Sequence, residues 1–88
     1  MAEKGAVLRN ASGLHARPAA LFVQTAKRFT STKIEVSKDV VARDAKSILG
    51  VLTLAVGQGT TITIRTQGEE ADAALAALVE AVESGLGE

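Results

Sequence analysis

The sequence predicts an α+β fold in which a four-stranded antiparallel sheet carries helices on one face, in the order β-α-β-β-α-β-α. Two observations predict it. Short runs that alternate apolar and polar residues are separated by turn-length breaks, as in antiparallel strands. Longer, alanine-rich segments repeat apolar residues at the helical spacing, and their small side chains let a helix approach a sheet closely. The 88 residues give room for one small domain, expected to span residues 1–88.

The first half of the chain supplies a strand, a helix and a hairpin. Residues 4–9 form an apolar-leaning stretch that we interpret as a strand. Helical spacing follows over residues 16–28, with Pro18 in the first turn, where its missing N–H is tolerated. Two further strands are predicted at residues 33–37 and 40–43. The residues expected to face the core in these elements are Ala16, Ala19, Ala20, Val23, Ala26, Ile34 and Val36.

The second half supplies a short helix, a strand and a longer helix. Ser47 is a good N-cap, which favours a short helix over the apolar residues 48–52, although so short a run has no diagnostic period. Residues 61–66 alternate cleanly and give the clearest strand. The last helix begins with acidic residues that suit its dipole, and Gly85 followed by Leu86 predicts a C-terminal cap. The core-facing residues expected here are Ile62, Ile64, Ala71, Ala74, Leu75, Leu78 and Val82.

The composition excludes several classes of protein. The chain has no Cys and one His, which excludes disulfides, Cys-ligated zinc, iron–sulfur clusters and thiol nucleophiles, so neither a metal nor a cofactor is expected. No apolar run approaches the ~20 residues of a membrane span, and the N-terminus lacks the apolar core of a signal peptide. We therefore expect a cytoplasmic protein without membrane insertion.

The net charge of zero hides an asymmetry along the chain. Residues 1–68 hold all ten basic side chains and four acidic ones, whereas residues 69–88 hold six acidic side chains and no basic one. The basic part is suited to an acidic partner, a phosphate or a nucleic acid. The simpler interpretation, which charge alone favours, is an acidic helix that follows a mildly basic sheet.

The only histidine lies between a turn and a helix start, within Ser12–Pro18. The first N–H groups of a helix lack intrahelical partners, and the helix dipole adds positive potential there, so an anion is favoured. Arg17 offers a planar donor fork to a phosphate. A neutral imidazole is a nitrogen nucleophile, and His15 is the one side chain here that can supply it. This chemistry suits transient phosphorylation of His15; the alternative is a lone histidine that merely caps the helix.

Three segments resemble one known family. Residues 13–19, Gly-Leu-His-Ala-Arg-Pro-Ala, are similar to the active-site signature of HPr, the histidine-containing phosphocarrier of the bacterial phosphoenolpyruvate-dependent sugar phosphotransferase system. Residues 45–54 resemble the region around the family's regulatory serine, and residues 57–60 give a third match. The resemblance covers essentially the whole chain. It implies an open-faced β-sandwich of four antiparallel strands and three helices.

The resemblance also implies a function. In HPr proteins the histidine takes a phosphoryl group from phosphorylated enzyme I on Nδ1 and passes it to enzyme IIA domains of sugar permeases. His15 would then be the phosphoacceptor and Arg17 its charge partner. Ser12 and the backbone amides of Ala16 and Arg17 are expected near the phosphate. Such a protein is a carrier rather than an autonomous enzyme.

Ser47 has two interpretations. Its place as an N-cap explains it fully without regulation. The Ser-Ile-Leu-Gly-Val form resembles the family branch of low-GC Gram-positive bacteria, in which an ATP-dependent HPr kinase/phosphorylase phosphorylates the matching serine. That phosphorylation slows transfer at the histidine and favours binding to a catabolite-control repressor. Both interpretations stay open, because this sequence does not reveal a kinase.

Apolar residues beside the site resemble the docking surface that the family offers to its partners. These residues are Leu14, Ala20, Ile48, Leu49 and Leu52. Their alternative role is plain core, and for Ile48 and Leu52 the sequence does not separate the two. One departure from the family is the turn at residues 37–40, which lacks the frequent Asn-Gly and leaves the turn type open.

Two other functions compete with the carrier. One is a regulatory binding module of the same fold, whose histidine serves a nitrogen-related or repressor-coupled pathway. The other is a small nucleic-acid binder with a basic face. The second is disfavoured because the chain has two Phe and no Tyr or Trp to stack on bases, and its net charge is zero.

Overall fold

Seven elements follow one another in the predicted order. The computed structural model describes residues 1–88. The elements are β1 (Ala2–Val7), α1 (Ala16–Lys27), β2 (Thr32–Lys38), β3 (Val41–Asp44), α2 (Ile48–Thr53), β4 (Thr61–Gly68) and α3 (Ala71–Glu83). The fold class is confirmed as a four-stranded antiparallel sheet with three helices. None of these helices has the length and hydrophobicity needed to cross a bilayer.

The sheet has the strand order β1-β4-β2-β3, and all three pairings are antiparallel. The strand that comes last in the sequence is therefore an interior strand. β4 pairs with β1 in a register that joins Ala2 to Thr66, and with β2 in a register that joins Thr32 to Gly68. β1 and β3 are the two edges.

The core lies between the sheet and the helices. Alternation along β2 and β4 turns Ile34, Val36, Ile62 and Ile64 inward, as predicted, and each is at most 1% exposed. α3 contacts β1, β4 and β2, while α1 packs against α3 and α2. On the open face of the sheet, Arg65 pairs with Glu3 at 2.8 Å and with Glu35 at 3.9 Å. These ion pairs are exposed and contribute little to stability.

Two strand boundaries differ from the prediction. β1 begins at Ala2, two residues before the predicted start, and ends at Val7. Leu8 continues the backbone hydrogen bonding beyond β1, but with loop residues. Its N–H donates to the carbonyl of Thr60 at 2.9 Å, and its carbonyl accepts from the N–H of Gly59 at 2.7 Å. β3 is shifted by one residue because Lys38 pairs with Val41, which leaves a two-residue turn. Asp39 takes the positive φ of that turn, +55°, in place of the missing glycine.

The buried faces of the helices also depart from the periodic pattern. Ala16 was expected in the core but is exposed, and Phe22 is fully buried instead. Ala16 has φ +51°, so the regular phase of α1 is set by the residues after it. In α3, Val79 is buried, whereas Ala71 and Leu75 are only half-buried.

The end of α3 is capped as predicted. Gly85 has φ +96°, and the N–H of Leu86 donates to the carbonyl of Ala81 at 3.0 Å. Leu86 is 3% exposed, which supplies the apolar contact of this motif. The chain is thereby anchored in the core shortly before Glu88.

Candidate functional site

His15 is the N-cap of α1, with extended backbone angles of φ −132° and ψ 159°. Its side chain makes no capping hydrogen bond, and the residue is exposed. The helix start uses only the backbone of His15, whose carbonyl accepts from the N–H of Ala19 at 3.4 Å. The imidazole is therefore not occupied in capping and faces solvent.

The first turn of α1 combines free donors with a strained backbone. Ala16 has φ +51°, a left-handed conformation that costs a residue with a side chain about 1 to 2 kcal/mol. The amides of Ala16 and Arg17 lie in the first turn, where N–H groups have no intrahelical acceptor. Pro18 and Ala19 are buried and fix this turn to the core. The donors beside His15 are thus held on a rigid base.

Arg17 is exposed, and its side chain forms neither a hydrogen bond nor an ion pair. The single basic residue paired with a carboxylate is Arg65, on the far face of the sheet. The guanidinium of Arg17 therefore remains available two residues from the imidazole. A permanently charged donor fork in this place is suited to phosphate oxygens.

The loop before His15 is pressed against a neighbouring loop. Gly13 has φ +60°, and a Cβ placed on it would overlap the carbonyl oxygen of Val56 and lie 2.6 Å from the Cα of Gly57. The N–H of Leu14 donates to the same Val56 carbonyl at 3.1 Å. Only glycine fits at residue 13 without movement of one loop. The histidine is consequently placed by tertiary contacts as well as by its helix.

Ser12 has a partner that sequence reasoning did not identify. Its hydroxyl donates to Oε2 of Glu88 at 2.8 Å, and its N–H donates to Oε1 at 3.1 Å. Nδ2 of Asn10 donates to the same Oε1 at 3.2 Å and to the carbonyl of Gly13 at 2.9 Å. The hydrogen bonds from Ser12, and then that from Asn10, lower the pKa of the Glu88 carboxyl. No local pattern signals this contact, because Glu88 lies 76 residues after Ser12.

Ser47 is the N-cap of α2, and its Oγ accepts from the N–H of Gly50 at 3.1 Å. Leu49 and Ile48, which follow it, are 73% and 39% exposed. α2 packs beside α1, so these apolar side chains are on the helix next to the one that begins at His15.

The other expected docking residues are less accessible. Ala20 and Leu52 are half-buried. Leu14 is fully buried and belongs to the core, so it offers no surface to a partner.

His15 lies on open surface rather than in a cleft. The surface has five grooves, and neither His15 nor Arg17 lines any of them. One groove, of 590 Å³, lies between Lys4 of β1 and the side of α3 that carries Leu75 and Val79. No group of three or more His, Cys, Asp or Glu side chains is arranged to hold a metal ion. An exposed imidazole of this kind is accessible to another protein's active site.

Comparison with known proteins identifies the family. The family model described as "PTS HPr component phosphorylation site" matches residues 2–84. The chain belongs to the HPr family. It is 48% identical over 83 residues to the HPr-like protein Crh of Halalkalibacterium halodurans, covering 94% of this chain and 98% of that protein. It is 46% identical over 69 residues to the phosphocarrier protein HPr of Treponema pallidum, covering 78% of this chain and 77% of that protein.

A solved HPr structure shares the fold throughout. HPr-C-His from Thermoanaerobacter tengcongensis superposes with a TM-score of 0.95 at 46% identity, covering 100% of this chain and 98% of that one. The open sheet and three helices are therefore those of HPr. Membership in this family supports a phosphocarrier role in the phosphotransferase system.

Proposed function

We propose that this protein is a cytoplasmic phosphocarrier that accepts a phosphoryl group from phospho-enzyme I on His15 and donates it to enzyme IIA domains for sugar uptake. The observation that carries the proposal is the exposed imidazole of His15, which is not used in capping α1 and lies two residues from the unpaired Arg17. Both donor and acceptor proteins must reach the same nitrogen, and an open surface permits this.

The proposed reaction needs little from the chain beyond a nucleophile and oxygen-binding donors. The lone pair of Nδ1 of His15 attacks phosphorus, and the bond between phosphorus and its carrier atom on enzyme I breaks as the N–P bond forms. The amides of Ala16 and Arg17 and the Arg17 guanidinium stabilise the phosphoryl oxygens. The second transfer reverses these roles, with enzyme IIA as acceptor. The protein ends unchanged, so it acts as a carrier rather than as an autonomous enzyme.

The first test is His15→Ala. Because the imidazole makes no capping bond, we expect the fold to survive and phosphoryl acceptance from phosphoenolpyruvate plus enzyme I to be lost. Phosphorus NMR of the wild type should show an acid-labile, base-stable Nδ1-phosphohistidine, and circular dichroism should show a folded variant. An acid-labile phosphate on His15→Ala would refute the assignment.

Arg17 is tested against a matched residue of the same helix. Arg17→Gln removes an unpaired charge beside the proposed phosphate, and we expect the rate of phosphoryl acceptance to fall about 10- to 100-fold. Lys27→Gln removes an equal charge from the exposed last turn of α1 and should change the rate little. The measurement is the rate of labelling by phospho-enzyme I. Equal effects of the two variants would mean that Arg17 supplies only general positive charge.

The proposal includes a docking patch and a regulatory residue. The exposed Leu49 and Ile48, with the half-buried Ala20 and Leu52, would form the surface that enzyme I and enzyme IIA contact. Ser47 lies directly before this patch, so a phosphate on its hydroxyl would place about −2 charges at the interface. In an organism with an HPr kinase/phosphorylase, such a charge would repel an acidic partner and favour a catabolite-control repressor.

A second candidate function is a regulatory HPr-like module without a carrier role in sugar uptake. Identity to the protein named HPr-like protein Crh is 48%, against 46% for the phosphocarrier of Treponema pallidum, so overall similarity does not separate the two roles. Phosphorylation of His15 by enzyme I, followed by transfer to an enzyme IIA domain, would favour the carrier. Genes for nitrogen regulation rather than permeases beside the coding sequence would favour the module.

A further inference from the structure

β1 is an edge strand whose outer side has no backbone partner. It pairs with β4 alone, and the N–H of Leu8, just beyond its end, donates to the β4 side at the carbonyl of Thr60. Because the bonding direction alternates along an antiparallel strand, every second residue counted back from Leu8 bonds to β4 and those between point outward. The outward residues are Glu3, Gly5 and Val7. Their N–H and C=O groups form a free edge about 13 Å long.

A groove of 590 Å³ lies beside this edge, between β1 and α3. We call it the β1–α3 groove. Its apolar lining comes from Leu75, Ala76 and Val79 of α3, and Lys4 is the residue of β1 that lines it. Lys4 is on the same face of β1 as the buried Ala6, so the groove is on the helix side of the sheet. A strand added to β1 would therefore project every second side chain into the groove.

The β1–α3 groove has an acidic side. Asp72, Glu80 and Glu83 line it against a single cation, Lys4, and none of the three carboxylates forms an ion pair. Asp72, Ala76 and Glu80 follow one another at the four-residue helical spacing, about 6 Å apart. Alternate side chains of a strand are about 6.6 Å apart, so the two spacings nearly match. An extended peptide can thus set a basic, an apolar and a basic side chain opposite these three positions.

The middle of the edge is open to another backbone. Gly5 is exposed, and a Cβ placed on it would make only ordinary contacts, the nearest at 3.6 Å from Cγ2 of Thr61. Packing within this chain therefore does not require a glycine there. A glycine inside a strand often marks a place where a ligand or another backbone approaches closely.

The charges disfavour a second copy of this chain as the occupant. Antiparallel pairing of β1 with another β1 keeps the helices of both copies on the same side of the joined sheet. The acidic sides of two α3 helices would then face each other across the new seam, and like charges in such an interface repel. A basic partner meets no such penalty.

We propose that the β1–α3 groove binds an extended basic peptide of a partner protein, which adds to the sheet as a fifth strand beside β1. Backbone hydrogen bonds to Glu3, Gly5 and Val7 supply affinity, and alternate side chains in the order basic, apolar, basic supply specificity. Neither His15 nor Arg17 lines this groove, so the peptide leaves the proposed phosphoryl-transfer site accessible.

The test titrates the isotope-labelled protein with the capped peptide Thr-Lys-Thr-Leu-Thr-Lys-Thr and follows amide signals by NMR. In an extended peptide the lysines and the leucine share the side that enters the groove, while the threonines bond to β1. We expect saturable shifts in β1 and α3, with the signals around His15 unchanged. The same peptide with glutamate in place of lysine should not bind. N-methylation of the two inner threonines, which removes N–H donors to β1, should lower the affinity at least about 10-fold.

Variants of the protein test the acidic side. Asp72→Asn combined with Glu80→Gln removes the two charges that face the lysines, and the affinity should fall about 3- to 10-fold, as expected for two exposed ion pairs. Glu69→Gln combined with Glu70→Gln removes two exposed charges of the same segment outside the groove and should change the affinity little. These side chains are exposed, so we expect both variants to fold.

Four outcomes would overturn the proposal. They are the absence of saturable binding, equal binding of the glutamate peptide, shifts confined to residues outside β1 and α3, and an affinity unaffected by N-methylation. Sedimentation of the free protein adds a fifth, because a dimer whose interface is β1 would assign the edge to a second copy.

Discussion

His15 lies between two residues that have positive φ, Gly13 at +60° and Ala16 at +51°. The backbone of His15 itself is extended. The start of α1 beside His15 and the presence of Arg17 in its first turn could be predicted from the sequence, because they depend on local spacing. The sequence did not predict the strain at Ala16, since alanine has no preference for that region, nor the partner of Ser12, which tertiary folding brings from the other end of the chain.

Gly13→Ala tests how firmly the loop is placed. The added Cβ meets the backbone of Val56 and Gly57 at a positive φ, so we expect a loss of about 2 to 4 kcal/mol in the free energy of unfolding. Gly57→Ala is the control, because a Cβ there has nothing within 4 Å, and its effect should stay within about 0.5 kcal/mol. Urea denaturation measures both. Similar losses in the two variants would show that the loop contact is not tight.

Among the elements, those with a clear period were predicted best. Ile62 and Ile64 of β4 and the cap at Gly85 were predicted correctly. The predicted buried face of α1 was partly right: Ala19, Val23 and Ala26 are buried as expected, but Ala16 is exposed and the prediction left out Phe22, the largest buried side chain. A stripe of alanines defines a helix face weakly, since alanine is tolerated on either side. Tertiary packing then decides which of the residues along such a stripe are buried.

Ser47→Ala tests the start of α2. The variant loses the hydrogen bond from the N–H of Gly50, and we expect a decrease of about 1 kcal/mol in the free energy of unfolding. Ser47→Asp keeps an N-cap acceptor and adds a charge that the helix dipole favours, so it should be close to the wild type. Thermal unfolding of the three proteins measures this. An equal loss in Ser47→Asp would mean that the hydroxyl is needed for something other than capping.

At the scale of the whole molecule, the basic segment of residues 1–68 and the acidic segment of residues 69–88 form no ion pair with each other. None of the six acidic residues in 69–88 pairs with a basic side chain, because the ion pairs join Arg65 to Glu3 and Glu35. Glu88 is the acidic residue of this segment that reaches the loop before His15, and it does so through neutral donors.

The contact of Glu88 should appear in the pH dependence of stability. Its carboxyl pKa is lowered from 4.5 by the donors of Ser12 and Asn10, so its contribution is fully present above pH 4.5 and is lost as the pH falls through the lowered value. The difference in unfolding free energy between the wild type and Glu88→Gln should therefore shrink as the pH falls. Urea denaturation across that range measures it, with Glu80→Gln as the control for general charge. A difference that is constant with pH would contradict the contact.

The position of β4 has a consequence for synthesis of the chain. β2 and β3 can form their hairpin soon after both have left the ribosome, but β1 has no strand to pair with until β4, some sixty residues later, has been made. The four-stranded sheet cannot be completed before β4 has been made, since β4 pairs with both β1 and β2. The apolar faces of the strands made earlier stay partly uncovered until residues 61–68 have been made. The loop that carries His15 contacts Val56, which is made shortly before β4, and Glu88, which is made after it, so the site takes shape only when the fold is nearly complete.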